Sequence, residues 1–132
     1  MSEENVERYR RLTDAFNRRD WDATVSMADE QIEVESRLVA MEGGYRGHDG
    51  LRRWWDTFLA AFPDYTIEVL ELRDLGDVTL SRIRGYGHGA ASATPVVDPF
   101  WFAMRWRDGK YVWWRYFGTE AEALKAVGLE DG

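Results

Sequence analysis

Few side chains in this 132-residue chain can move a proton at neutral pH. It has two histidines, His48 and His88, and no cysteine, which excludes thiolate nucleophiles, disulfides and cysteine-held metals. His88 ends the run Gly85-Tyr86-Gly87-His88, and Asp98 follows it after a short linker. A histidine near an aspartate is the minimum for acid/base work near pH 7. Asp98 suits a general base if apolar walls raise its pKa. Arg115 keeps its proton at any useful pH, so it suits an anion clamp or oxyanion stabiliser and not a base. The bland alternatives stay open. Asp98 and Arg115 could pair with each other or with helix ends, and His88 could be a rim histidine. His48, just before a helix start, is expected to be structural. Glu33 and Glu35 share one strand face, which a solvated surface explains as well as a pocket does. Two isolated histidines make no metal-ligand spacing. The glycines around His88 lie on a strand and not in a strand–turn–helix phosphate loop, and no G-x-S-x-G elbow occurs.

These residues must be positioned by the elements around them, above all by the stretch from Val97 to Phe117. It reads as two strands joined by Asp108-Gly109, a pair that favours a tight hairpin turn. With Arg107 and Lys110 flanking the turn, Phe100 faces Phe117, Phe102 faces Arg115, Met104 faces Trp113 and Trp106 faces Tyr111. Asp98 then shares a face with these pairs, because side chains alternate along a strand. The other face carries Trp101, Ala103, Arg105, Val112, Trp114 and Tyr116. Both faces are aromatic-rich, so neither is a plain solvent face. One should meet the protein's own helices, and a second copy of the chain is the simplest cover for the other.

Upstream, Val6, Tyr9, Leu12 and Phe16 make one apolar helical stripe from a Ser2 start, and Asn17-Arg18-Arg19 closes it. Asp20 caps a short second helix carrying Trp21, Val25 and Ala28. Gln31–Arg37 alternates as a strand, and Leu38–Gly47 is irregular. Asp49 caps a third helix whose Leu51, Trp54, Trp55, Phe58, Leu59 and Phe62 form the clearest amphipathic pattern, stopped by Pro63. Tyr65–Leu75 and Val78–His88 read as strands joined near Gly76-Asp77. Thr119-Glu120-Ala121-Glu122 is a capping box for a last helix ending at Gly128. Helices followed by a run of strands imply an α+β fold with helices packed on the concave face of a curved, mostly antiparallel sheet. Such a sheet leaves a conical hollow, where small ligands bind.

Size and 45% apolar content fit one domain over residues 1–132. A net charge of −7 argues against nucleic acid or an anionic membrane as partner. The N-terminus lacks a secretory signal, and no run approaches the ~18 apolar residues of a membrane span. A cytoplasmic protein is the expectation, and no cofactor is called for.

The pieces AFNRRDWDATVSMADEQIEVES, YRGHDGLRRWW, LSRIRG and MRWRDGKYVWWRYF, followed by TEAEALKAVG, resemble the NTF2-like superfamily in its SnoaL-like (polyketide cyclase-like) branch. The resemblance implies a cone-shaped α+β barrel, a pocket inside the cone and commonly a homodimer through the outer sheet face. It also implies where acid/base groups of relatives would fall: Ser36, Leu12 and Phe102, none of which carries the expected function, with His88 as a possible counterpart of a strand-borne histidine. It makes the Phe102 face the pocket face. On that reading Asp98, His88 and Arg115 are the catalytic candidates. Tyr86, Phe100, Phe102, Trp113, Phe117, Arg82 and Arg84 are the ligand-binding ones, with Arg82, Arg84, Tyr86 and His88 on the pocket side if the third and fourth strands face each other in that register. The function implied is a small-molecule isomerase, cyclase or dehydratase acting on a hydrophobic or aromatic compound. The alternative is a non-catalytic dimeric ligand-binding or interaction module.

Overall fold

A computed structural model describes residues 2–34, 45–87 and 99–128. His88, Asp98 and Ser36 lie outside the described residues. So do the segment 35–44 and the linker Gly89–Pro95.

Helix α1 (Ser2–Asn17) is followed by α2 (Trp21–Ser26) and then strand β1 (Ala28–Val34). Arg19 sits at φ 61°, and its guanidinium donates to Phe16 O, Pro63 O and Tyr65 O, at 2.9, 3.0 and 2.7 Å. It thereby closes α1 and ties it to the segment before β3. Asp20 caps α2 as expected, with Oδ1 accepting from the Ala23 N–H at 3.0 Å. Ala28, expected in this helix, instead opens β1. The two-residue strand β2 (Tyr45–Arg46) leads into α3 (Gly47–Ala61). The cap position of α3 is Arg46, and Asp49 sits in its first turn, where a negative charge still suits the helix dipole. His48 is structural: its Nε2 lies 3.0 Å from Ala28 O and links α3 to β1.

Strands β3 (Thr66–Asp74), β4 (Val78–Tyr86), β5 (Pro99–Arg107) and β6 (Lys110–Phe117) precede α4 (Glu120–Ala126). The sheet is curved and unclosed, in the order β2-β1-β6-β5-β4-β3, antiparallel except where β1 runs parallel to β6. Helices α1, α2 and α3 pack on one side, where Tyr9, Leu12, Phe16, Ile32, Trp54, Phe58 and Tyr111 belong to the main core. Helix α4 covers part of the opposite face through Ala123, Leu124 and Val127, against Val78, Leu80 and Ala103. Among the described residues no helix is long and apolar enough to cross a membrane.

The Asp108-Gly109 turn forms as expected, with both residues at positive φ (54° and 80°). The Thr119 side of the capping box forms too. Thr119 Oγ1 accepts from the Glu122 N–H at 3.2 Å. Replacing Thr119 by Ala should cost about 1 kcal/mol in urea unfolding, the usual worth of such a cap. A cost near zero would mean that α4 docks on the sheet without help from its cap.

The hairpin register departs from expectation. Trp106 pairs with Tyr111 and Arg107 with Lys110, as the turn dictates, but Arg105 then pairs with Trp113, Met104 with Trp114, Ala103 with Arg115 and Phe102 with Tyr116. Val112 is the extra residue of a β-bulge. One extra residue flips every later side chain of β6. The bulge lets Tyr111 and Trp114 share the helix-covered face, their rings stacked at 6.1 Å. It also keeps Arg115 off that face. Burying an unpaired guanidinium among aromatic rings would cost several kcal/mol. Outside, Arg115 lies 4.9 Å from the Trp113 ring centroid. That cation–π contact contributes about 0.5–1 kcal/mol at an exposed site.

Candidate functional site

The cone holds a partly open cavity of about 90 Å³. Helix α1 contributes Tyr9, Leu12, Thr13 and Phe16, α2 contributes Thr24, and α3 contributes Trp54 and Phe58. The sheet supplies Ile67, Ile83, Phe100, Phe102, Met104, Trp114 and Tyr116, and Tyr65 lines the cavity just before β3. The stripes of α1 and α3 make this possible, since residues three and four apart fall on the face each helix turns to the sheet. None of the described lining residues carries a charge.

Of the residues expected in the site, Phe100 and Phe102 line the cavity. Trp113, Arg115 and Phe117 do not, because the Val112 bulge turns them to the opposite face, where Trp113 and Phe117 pack with the α4 cluster. Arg82, Arg84 and Tyr86 are also outside. Strand β4 pairs Arg82 with Trp101 and Arg84 with Pro99, so its inward residues are Thr79, Ser81 and Ile83. On the outer side Arg84 donates to the Tyr86 hydroxyl at 3.4 Å, and that hydroxyl donates to Glu68 Oε1 at 2.6 Å. Asp98 and His88 lie outside the described residues. Among those described, no cluster of three metal-ligating side chains occurs.

Sequence reasoning treated Tyr9 and Trp54 as ordinary core. Both also line the cavity, and each brings a polar atom to it. The Tyr9 hydroxyl lies 2.7 Å from Ser81 Oγ, and Ser81 Oγ donates to Phe102 O at 3.3 Å. With the serine proton on the Phe102 carbonyl, the phenol proton goes to Ser81. Burial pushes the Tyr9 pKa well up, so this phenol stays neutral and acts as a hydrogen-bonding group and not a base. The Thr13 and Thr24 hydroxyls are spent on the helix carbonyls of Arg10 and Asp20, at 3.0 and 2.9 Å. The Trp54 ring stacks on Phe58 and meets Trp114 edge-on, with centroids 5.3 and 4.6 Å away. Its Nε1 is buried with no hydrogen-bond partner among the described residues. An orphaned donor of this kind costs about 1–3 kcal/mol. The sequence signal for it was a tryptophan on the most apolar stripe of the chain, where no acceptor was in sight.

A family model of the SnoaL-like domain matches residues 9–114. The chain belongs to the SnoaL-like family. Solved structures with this fold include a candidate polyketide cyclase from Sinorhizobium meliloti, 22% identical, with 84% of this chain and 94% of that one covered at a TM-score of 0.69. A candidate SnoaL-like polyketide cyclase from Jannaschia sp. CCS1 is 20% identical and covers 99% and 95% at a TM-score of 0.74. An NTF2-like protein of unknown function from Burkholderia pseudomallei is 15% identical and covers 95% and 98% at 0.77. The comparison with curated proteins finds no match. At these identities the structures share the SnoaL-like fold, and the fold alone does not fix the chemistry. Leu12 and Phe102 are both in the cavity wall.

Proposed function

We propose that this SnoaL-like protein binds a small, uncharged, largely apolar ring compound inside the cone. The observation that carries this reading is the wall: aromatic and aliphatic on every described side, with no charged group to neutralise an ionic ligand. The cavity of about 90 Å³ is below the ~300 Å³ at which drug-sized pockets begin, so a single ring suits it better than a fused polycycle.

Toluene, benzoate and benzylamine separate this reading from a general hydrophobic site in a thermal-unfolding titration. At ten times its Kd toluene should stabilise the fold by about 1.4 kcal/mol. Benzoate and benzylamine should do nothing at the same concentration. Arg115→Ala should leave the toluene response unchanged, because Arg115 is on the other face. Equal stabilisation by the charged compounds would refute an uncharged ligand.

An acid/base enzyme with Asp98 and His88 as proton carriers is the second reading. It is supported by Phe100, two residues after Asp98, lining the cavity. The outer face supports pairing with a second copy, since Trp101, Trp113 and Phe117 are only part-buried there. A monomer at every concentration in sedimentation would remove that pairing.

A further inference from the structure

We infer that the ligand of the cone carries a neutral carbonyl-type acceptor oxygen and that Trp54 Nε1 donates to it. The inference rests on the reading of the cone as a pocket for an uncharged ring compound, and it names the ligand's class: a compact aryl or cyclic ketone.

An indole N–H donates and never accepts, so the group missing at Trp54 is an acceptor. The described neighbours of the ring do not supply one. Phe58 and Trp114 flank it, and Phe16 lies 6.1 Å away, all as aromatic rings. Among the other polar lining groups, the Thr13 and Thr24 hydroxyls are committed to helix carbonyls and Tyr9 to Ser81. Bound water is a poor substitute, because a buried water needs two to four polar partners and this wall offers few. A carboxylate could also accept, but no described lining residue would balance its charge. A neutral carbonyl on an apolar ring meets both requirements. Its ring replaces water against the aromatic wall, and its oxygen takes the one lining donor that is buried without a partner among the described residues.

The test compares acetophenone with cumene, a hydrocarbon of closely similar shape, by calorimetric titration of the wild type and of Trp54→Phe. The replacement keeps an aromatic ring and removes the N–H. The ketone-to-hydrocarbon affinity ratio should fall about tenfold in the variant, the worth of one neutral hydrogen bond. An unchanged ratio, with both probes still bound, overturns the inference and leaves the pocket reading standing. A ratio that falls in Tyr9→Phe but not in Trp54→Phe also overturns it, since the donor would then be the phenol. Binding of neither probe to the wild type removes the pocket reading and this inference together. Should Trp54→Phe fail to fold, nitrogen-15 spectra of the wild type decide. The Trp54 indole proton should move downfield with acetophenone and not with cumene, and the same movement with both would overturn the assignment.

Discussion

Gly85→Ala should cost about 3 kcal/mol or more of folding stability, or on the order of 10 °C in Tm. A Cβ on Gly85 would enter the space of the Tyr65 phenol, overlapping its hydroxyl and Cζ and lying 2.7 Å from Cε1. The ring has nowhere easy to go. Phe58 meets it edge-on at 4.8 Å, Phe16 does so at 6.4 Å, and Arg19 holds the Tyr65 carbonyl at 2.7 Å. The open direction is the cavity that Tyr65 lines, so the variant that still folds should also lose its ring-compound site. Urea unfolding measures the first effect and ligand titration the second. Combining Gly85→Ala with Tyr65→Ala should recover part of the loss, because the clash is between these two residues. A single-variant cost below ~1 kcal/mol would show that the ring is not pinned against the strand. The same packing explains Gly87, whose Cβ would lie 2.9 Å from Tyr65 Cα. The glycines at 85 and 87 leave a bare strip on which Tyr65 lies, a role unrelated to phosphate binding.

Alkaline pH should unfold the protein steeply. Tyr9 and Tyr111 are buried at 1% and 0% exposure, and desolvation pushes both pKa values well above the ordinary phenol value. The Tyr111 hydroxyl donates to Thr24 O at 3.0 Å. In the unfolded chain each phenol ionises near pH 10, while in the fold each keeps its proton to higher pH. The unfolded state therefore binds fewer protons above pH ~10, and stability falls as pH rises. Below that pH the contribution is fully present. Above it each phenol removes about 1.4 kcal/mol per pH unit, so the two together remove roughly 5 kcal/mol by pH 12. Urea midpoints at stepped pH check this. Tyr9→Phe and Tyr111→Phe should each halve the slope contributed by the pair. A midpoint that stays level between pH 10 and 12 would mean that neither phenol is sealed from water.

Much of this protein is legible along the chain because short-range rules govern it. The stripe Leu51-Trp54-Trp55-Phe58 fixes which side of α3 is buried, Asp20 and Thr119 mark helix starts, and Asp108-Gly109 marks the hairpin. Each depends on residues within one turn of each other. The inward set of β5, Phe100, Phe102 and Met104, was legible for the same reason: strand alternation needs only a correct starting parity.

The other strands show where local rules stop. A turn sets the register at its own end of a hairpin, and a single bulge resets it beyond. The Val112 bulge moved Trp113, Arg115 and Phe117 out and brought Trp114 and Tyr116 in. The pairing of β4 with β5 did the same to Arg82, Arg84 and Tyr86. Nothing adjacent in sequence specifies either choice. It is made by the whole cone, which can bury tryptophan and tyrosine but not an unpaired guanidinium, and which draws Tyr111 toward Met27 O at 2.9 Å across the sheet. By itself the sequence determined the helices, the turns and an aromatic hollow. The tertiary structure decided which aromatic residues face that hollow and left every described arginine outside it, because the energy of burying a charge depends on what surrounds it and not on its neighbours in the chain.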